Sequence, residues 1–400
     1  MSEWKEIKLK EFVKVSSGEG LPDYKMKPGQ YPVYGGNGIT GYHNQFKFEE
    51  SRLIIGRVGA LCGNVHITQN RSWITDNALV VSFIDKNQDE NFWYFVLNNL
   101  NLREYAFQSA QPVITGGIIE KIKIKIPTNG SSQQKIARIL TTCDSVIEQT
   151  QSAIAKYKAI KQGLLHDLFT RGLDASGRLR PTYHQSPELY KESELGMIPK
   201  EWEVKRLEEL VEVLVSNVDK KSYDGEKRVS LCNYMDVYQN EYITSEINFM
   251  QATASNGQIL KFGIKKGDVM ITKDSETPDD IGISAVSLED FDNVVCGYHL
   301  ALFKPKKDKL IGEFLSKQLS RFEINRFYAN RANGSTRYGL TLSVIGSILI
   351  PLPSFDEQKR IIPISWSVDQ KINAEETLLQ KYQSIKRGLM GDLLGGRKEV

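Results

Sequence analysis

The sequence predicts an α+β protein with a pseudo-twofold internal repeat, in which two mixed α/β domains are separated by two long helices forming an antiparallel coiled coil. Three observations predict it. The stretch YKAIKQGLLHDLFTRG, Tyr157 to Gly172, is written again as YQSIKRGLMGDLLGGR, Tyr382 to Arg397. Both copies close a long segment whose apolar residues step by three and four, the spacing of a helix that needs a partner. The segments ahead of them carry short apolar runs split by Gly, Asn and Asp clusters, the pattern of short strands and turns.

The repeat runs well beyond the quoted helices. At a constant offset of 225, Gln133 aligns with Gln358, Ile136 with Ile361, Asp144 with Asp369, Ile147 with Ile372 and Lys161 with Lys386, without a gap to Leu168 and Leu393. EWKEIKL, Glu3 to Leu9, is echoed by EWEVKRL, Glu201 to Leu207, and each copy reaches a proline-ended apolar strand, at Pro127 and Pro351, just before its helix. The bodies in between, Tyr24 to Leu100 and Asp224 to Phe322, share almost no residues. Two copies of this length indicate a pseudo-dimer within one chain rather than a solenoid. The boundaries that follow are a first domain over 1–130, a first helix over 131–172, a linker over 173–200, a second domain over 201–354, and a second helix with its tail over 355–400.

In the first helix the seam predicted from heptad spacing includes Ile139, Val146, Tyr157, Ile160 and Leu164; in the second it includes Ile364, Leu378, Tyr382, Ile385 and Leu389. No proline interrupts Ser132 to Arg171, so a helix of roughly 38 residues would be on the order of 57 Å long. Pro363 stands where the first copy has Arg138, and predicts that the second helix begins or kinks there. Gly172 and the pair Gly395-Gly396 read as stop signals.

Within the bodies, strands are predicted at Arg52 to Ile55, Ala78 to Phe83, Asp268 to Thr272 and His299 to Lys304, and helices at Asn91 to Phe107 and Ile311 to Ala329. The 400 residues suffice for two or three domains, and the 40% apolar content suits globular cores. The charged start and the absence of a long apolar run predict a cytoplasmic chain without a membrane partner. Cys62, Cys143, Cys232 and Cys296 form no CxxC pair and read as small buried residues. The net charge of +3 permits a polyanionic partner without demanding one.

Catalytic signals are sparse. The five histidines show no metal-ligand spacing, and YPVYGGNGITGY, Tyr31 to Tyr42, lacks the Gly-Lys-Ser/Thr of a phosphate-binding loop. Neither metal nor catalytic residues are expected in this chain. The polar group Lys273, Asp274, Glu276, Asp279 and Asp280 leaves a metal-dependent nuclease as the alternative, and a non-specific coiled-coil scaffold as a third. Binding features are stronger. Asn330, Arg331, Asn333, Ser335, Thr336 and Arg337 concentrate amide, hydroxyl and guanidinium groups in ANRANGSTRYG, the donor set that suits phosphates and base edges of double-stranded DNA. Gln108 and Gln111 occupy the corresponding place in the first body. Tyr34, Asn37 and Tyr42 in the glycine-rich loop, Arg57, Asn233, Tyr234 and Lys273 complete the candidate contacts.

With these residues in view, the chain resembles the specificity subunit of type I restriction-modification systems over nearly its whole length. The likeness rests on the two helices, on ELGMIPKEWEVKRL (Glu194 to Leu207) as a domain-opening motif, and on GSTRYGLTLSVIGSILIPLP, YGGNGITGY and LCNYMDVY. It implies two target-recognition domains, each reading one half of a split, asymmetric DNA sequence, with the helices setting the unread spacer. It further implies two docked modification (methyltransferase) subunits that supply S-adenosylmethionine and adenine methylation, no cofactor in this chain, and two restriction (motor-nuclease) subunits in complete systems.

Overall fold

The structure, a computed structural model, describes residues 4–85, 87–107 and 110–398, and it divides into two compact units. The first unit takes residues 1–154 and 374–400, the second 155–373. Both long helices, Gly130–Thr170 and Phe355–Leu393, contribute to both units.

In the first unit, Val13–Ser17, Ala78–Phe83, Leu53–Gly56 and Val65–Ile67 form a four-stranded antiparallel sheet in that spatial order. A smaller sheet joins Gly38–His43, Tyr31–Gly35 and Trp73–Ile74. The helix Glu90–Asn99 begins where the Asp89 carboxylate accepts the Phe92 amide at 2.9 Å, and it buries Phe92, Trp93 and Phe95 against the large sheet's core. Each such aromatic contributes on the order of 1.5–3 kcal/mol by leaving water. The predicted helix over Asn91 to Phe107 stops early because Asn101 turns left-handed at φ 43, and only a short 3-10 turn, Leu102–Tyr105, follows.

The second unit repeats this frame in a different sequence. Val211–Val215, Leu300–Pro305, Val269–Thr272, Ser284–Ser287 and Tyr242–Ile243 make a five-stranded sheet, whose first four strands correspond in order and direction to those of the first unit. A three-stranded sheet of Met250–Ala254, Lys227–Cys232 and Val294–Cys296 packs beside it and sets Cys232 directly across from Cys296. Both cysteines are fully buried, which pushes their thiols above the usual range. The predicted helix Ile311 to Ala329 is two helices, Gly312–Leu319 and Phe322–Ala329, broken where Arg321 adopts an extended backbone.

Each body is also closed by a two-stranded clasp. Trp4–Lys8 pairs with Lys123–Pro127, and Glu203–Arg206 pairs with Leu349–Leu352, so the opening strand of each repeat meets the strand that leads into its helix. The 173–200 segment, expected as a linker, folds in the second unit. It carries the hairpin Tyr190–Ser193/Gly196–Pro199, and it buries Arg180 against Glu357 in the first turn of the second long helix.

The two helices run antiparallel within each unit. In the first, Lys386 pairs with Asp144 and sits over the Phe95 ring, while Leu389 and Met390 pack on the cluster holding Ile136 and Leu140. In the second, Lys161 meets Asp369 at 2.6 Å, and Lys371 lies over Tyr157. Because Asp369 and Lys386 are the repeat equivalents of Asp144 and Lys161, the two ion pairs are one contact made twice, each time between an Asp of one copy and a Lys of the other. The seam prediction is corrected at three positions. Ile160, Ile385 and Leu378 are 46%, 44% and 39% exposed, and Lys161 and Lys386, one residue on from the two isoleucines, face the partner helix instead. Ile139, Val146, Tyr157, Leu164, Ile364, Tyr382 and Leu389 are partly buried. A second correction concerns Pro363, which starts nothing: the helix begins eight residues earlier. Pro363 and Lys359, whose carbonyl Pro363 cannot bond, both lie on the exposed side of this helix.

Candidate nucleic-acid interface

In the second body the polar loop is built by backbone pairing. Asp274–Ser275 pairs with Tyr338–Gly339, and the Leu340 amide donates to the Lys273 carbonyl at 2.9 Å, which brings Lys273 beside the ANRANGSTRYG loop. Asn333 and Gly339 exchange hydrogen bonds of 3.0 and 2.9 Å across the loop's base. At Gly334, φ is +144 and a Cβ would lie 1.9 Å from the Arg337 carbonyl oxygen, so only glycine closes this turn. Ser335, Thr336 and Arg337 stand exposed at its tip, with Asn330 and Asn333 also exposed. The Arg331 guanidinium lies over the Phe327 ring, 3.9 Å from its centre.

Around this loop the other candidates divide. The Lys273 ammonium lies 3.0 Å from Asp274, whose same oxygen lies 2.8 Å from His299 Nδ1. Asp274 is thus engaged by a lysine and a histidine, and among the described residues no three His, Cys, Asp or Glu side chains gather as metal ligands. Asn233 begins the helix Tyr234–Gln239: its amide N–H donates to Asp236 at 2.7 Å and its side chain to the Leu231 carbonyl at 3.2 Å. Tyr234 is half-buried and stacks on Tyr238 with ring centres 5.6 Å apart.

In the first body Asn37 and Gln111 line one cleft of about 530 Å³ together with Thr40, Asn77, Val33 and Leu61. Asn37 occupies the turn between Tyr31–Gly35 and Gly38–His43. Gly36 in the glycine-rich loop is held by close packing, since a Cβ there would fall 2.9 Å from the Asn77 carbonyl oxygen, and a Cβ on Gly56 would fall 2.4 Å from the Gly36 carbonyl oxygen. Tyr42 is exposed at the end of this hairpin. Tyr34 is not at the surface: it is 5% exposed, packs with Ile54, Ile74 and Val80, and its hydroxyl accepts the Gln69 amide at 3.0 Å. Arg57 reaches the Ser17 hydroxyl and the Asp76 carbonyl, both at 3.3 Å. Gln108 lies outside the described residues.

Sequence reading missed Asn77, which joins Asn37 only through folding, and the Lys220-Lys221 doublet, which lines a second-body cleft with Lys273. The doublet was the one legible signal, two adjacent cations in a loop between strands. No helix among the described residues is long and apolar enough to cross a membrane.

Comparison with known proteins agrees with this architecture. The family described as the type I restriction modification DNA specificity domain matches residues 1–157 and 199–383. The type I restriction enzyme MjaVIII specificity subunit of Methanocaldococcus jannaschii is 24% identical, over all of this chain and 93% of its own length. The EcoprrI specificity subunit of Escherichia coli is 35% identical over 36% of this chain and 37% of its own. Among solved structures, the S subunit of a type I restriction-modification system from M. genitalium superposes with a TM-score of 0.65 at 18% identity, covering 98% of this chain and 96% of that one. A chain from a structure of type I R-M complex assembly and conformational transition gives 0.54 at 12% identity, covering 98% of each.

Proposed function

Because the chain belongs to the type I restriction-modification DNA specificity family, whose members are non-catalytic DNA-recognition subunits, we propose that its two bodies read the two halves of one split target. The observation that carries this reading is the shared four-strand frame bearing unlike loops. The same scaffold presents an Asn37/Asn77/Gln111 cleft in one body and a guanidinium-rich hairpin in the other, so the half-sites differ and the target is asymmetric. The paired helices set the unread spacer. Two modification subunits dock along them, bring S-adenosylmethionine and methylate adenine; in complete systems two restriction subunits join, and the assembly works in the cytoplasm.

The test is co-expression with the modification subunit followed by mapping methylated adenines across host DNA. The expected result is one bipartite motif with a fixed gap and unlike halves. A single uninterrupted motif, or two identical halves, would overturn the reading.

A further inference from the structure

Beside the hairpin proposed to read bases, the second body holds a cleft of about 600 Å³ lined by Lys220, Lys221, Lys273, Asn217 and Tyr298. We infer that this cleft is a phosphate anchor, a site that grips the backbone of duplex DNA without reading sequence. The inference rests on the proposed reading of DNA and assigns part of that binding to residues outside the hairpin.

The lysine loop is fixed before any ligand arrives. The Ser216 hydroxyl donates to the Cys296 carbonyl at 2.5 Å and accepts the Val218 amide at 3.1 Å, and the Tyr298 amide donates to the Val218 carbonyl at 3.0 Å. These bonds lace residues 216–218 onto the end of the strand Val294–Cys296, on the side where Lys273 leaves its own strand and donates its amide to the His299 carbonyl at 3.1 Å. The carboxylates near Lys220 and Lys221 are turned to other donors. Asp219 accepts the Lys221 amide at 2.9 Å and the Tyr223 hydroxyl at 3.0 Å, while Asp236, close enough to feel Lys220, accepts the Asn233 amide at 2.7 Å.

Lys220 and Lys221 are exposed and bring two ammonium groups to this cleft, whose third lysine, Lys273, is paired with Asp274 at 3.0 Å; Asp219 is the sole carboxylate in its lining among the described residues. Two adjacent exposed ammonium groups raise the local positive potential and concentrate polyanions there. Lysine is a point charge with rotatable donors and suits phosphate oxygens; it lacks the rigid planar fork with which arginine meets two acceptors at once. The division of labour in this body therefore follows side-chain type, lysines for the backbone and Asn333, Ser335, Thr336 and Arg337 for base edges.

The experiment measures binding of the full chain, co-expressed with its modification subunit, to a duplex carrying the mapped target and to a scrambled duplex between about 50 and 200 mM salt. Lys220→Ala/Lys221→Ala is expected to weaken both duplexes alike and to lower the slope of log affinity against log salt by about two, close to 0.9 for each phosphate no longer neutralised. Lys220→Arg/Lys221→Arg should keep the slope. An unchanged slope, with target preference intact in the parent protein, overturns the anchor and leaves the functional reading standing. Relaxed preference without a slope change would make these lysines base readers, and overturns it too. If inorganic tripolyphosphate occupies the cleft as tightly as duplex does, the site serves a free anion and the backbone assignment falls. A parent protein that prefers neither duplex would overturn the functional reading itself, and the anchor with it.

Discussion

Glu357 is a heavily engaged buried side chain in the second unit. Its two oxygens accept the Leu173 amide at 2.8 Å, Arg180 at 2.5 and 3.1 Å, and the Trp202 indole at 3.1 Å, and it is 3% exposed. Glu357→Gln keeps the shape but leaves buried Arg180 with the exposed Glu201 at 3.5 Å as its carboxylate partner, beside the Arg171 carbonyl at 3.0 Å, so urea unfolding should show a loss of about 3 kcal/mol. Asp369 makes a pH prediction. Burial alone would raise its carboxyl, but hydrogen bonds from Lys161 and Lys317 outweigh that and hold it below the usual range. A depressed native value means the pair stabilises fully above an unfolded value of about 3.9 and loses that contribution as pH falls through the native one. The stability advantage over Asp369→Asn should therefore be flat from neutral pH down to about 5 and shrink below about 4. For recognition, Arg337→Ala should weaken duplex binding by about 1–3 kcal/mol and relax preference at one base position; uniform weakening across sequences would mark a phosphate contact instead. The hairpin was legible because amide, hydroxyl and guanidinium groups cluster within a few residues of the chain. Tyr34 was misplaced because a tyrosine beside glycines reads the same whether its ring faces water or Ile54, and only the sheet decides. Asn77 was invisible, since nothing local links it to Asn37.

At the scale of elements, the long helices were legible because one pattern is written twice, and identical residues at an offset of 225 carry more information than any propensity. The phase of the seam was not. Counting steps of three and four selects isoleucines, whereas the partner helix places Asp144 and Asp369 where Lys386 and Lys161 must answer them. This suggests a charge-exchange test: Asp144→Lys and Lys386→Asp should each destabilise by about 0.5–1 kcal/mol, and the double exchange should recover most of the loss, as read by thermal unfolding. The broken helices failed for a related reason. Apolar residues continue across Asn101 and Arg321, and the breaks are set by how the two pieces pack rather than by a proline or glycine.

On the scale of the whole molecule, the repeat makes spacer length an adjustable quantity. Removing one heptad from both helices together shortens each by about 10 Å, close to three base pairs of duplex. Methylation mapping should then return the same half-sites with a gap about three base pairs shorter, and an unchanged gap would mean that the helices do not measure it. Removing a heptad from one helix alone should misalign one of the two Asp/Lys pairs and destabilise the chain. The first unit has a further consequence that concerns synthesis. Its core includes Leu393, with Leu389 and Met390 packed on it, yet the rest of that core lies before residue 155. Residues 155–373 must leave the ribosome in between, which at roughly 5–20 residues per second takes on the order of ten to forty seconds. Throughout that interval the faces of Ile136 and Leu140 that meet the second helix are uncovered. The nascent first half is therefore expected to bind chaperones until the second helix arrives, to be read as chaperone crosslinking to ribosome-stalled chains ending before residue 374, and the body made first is the body completed last.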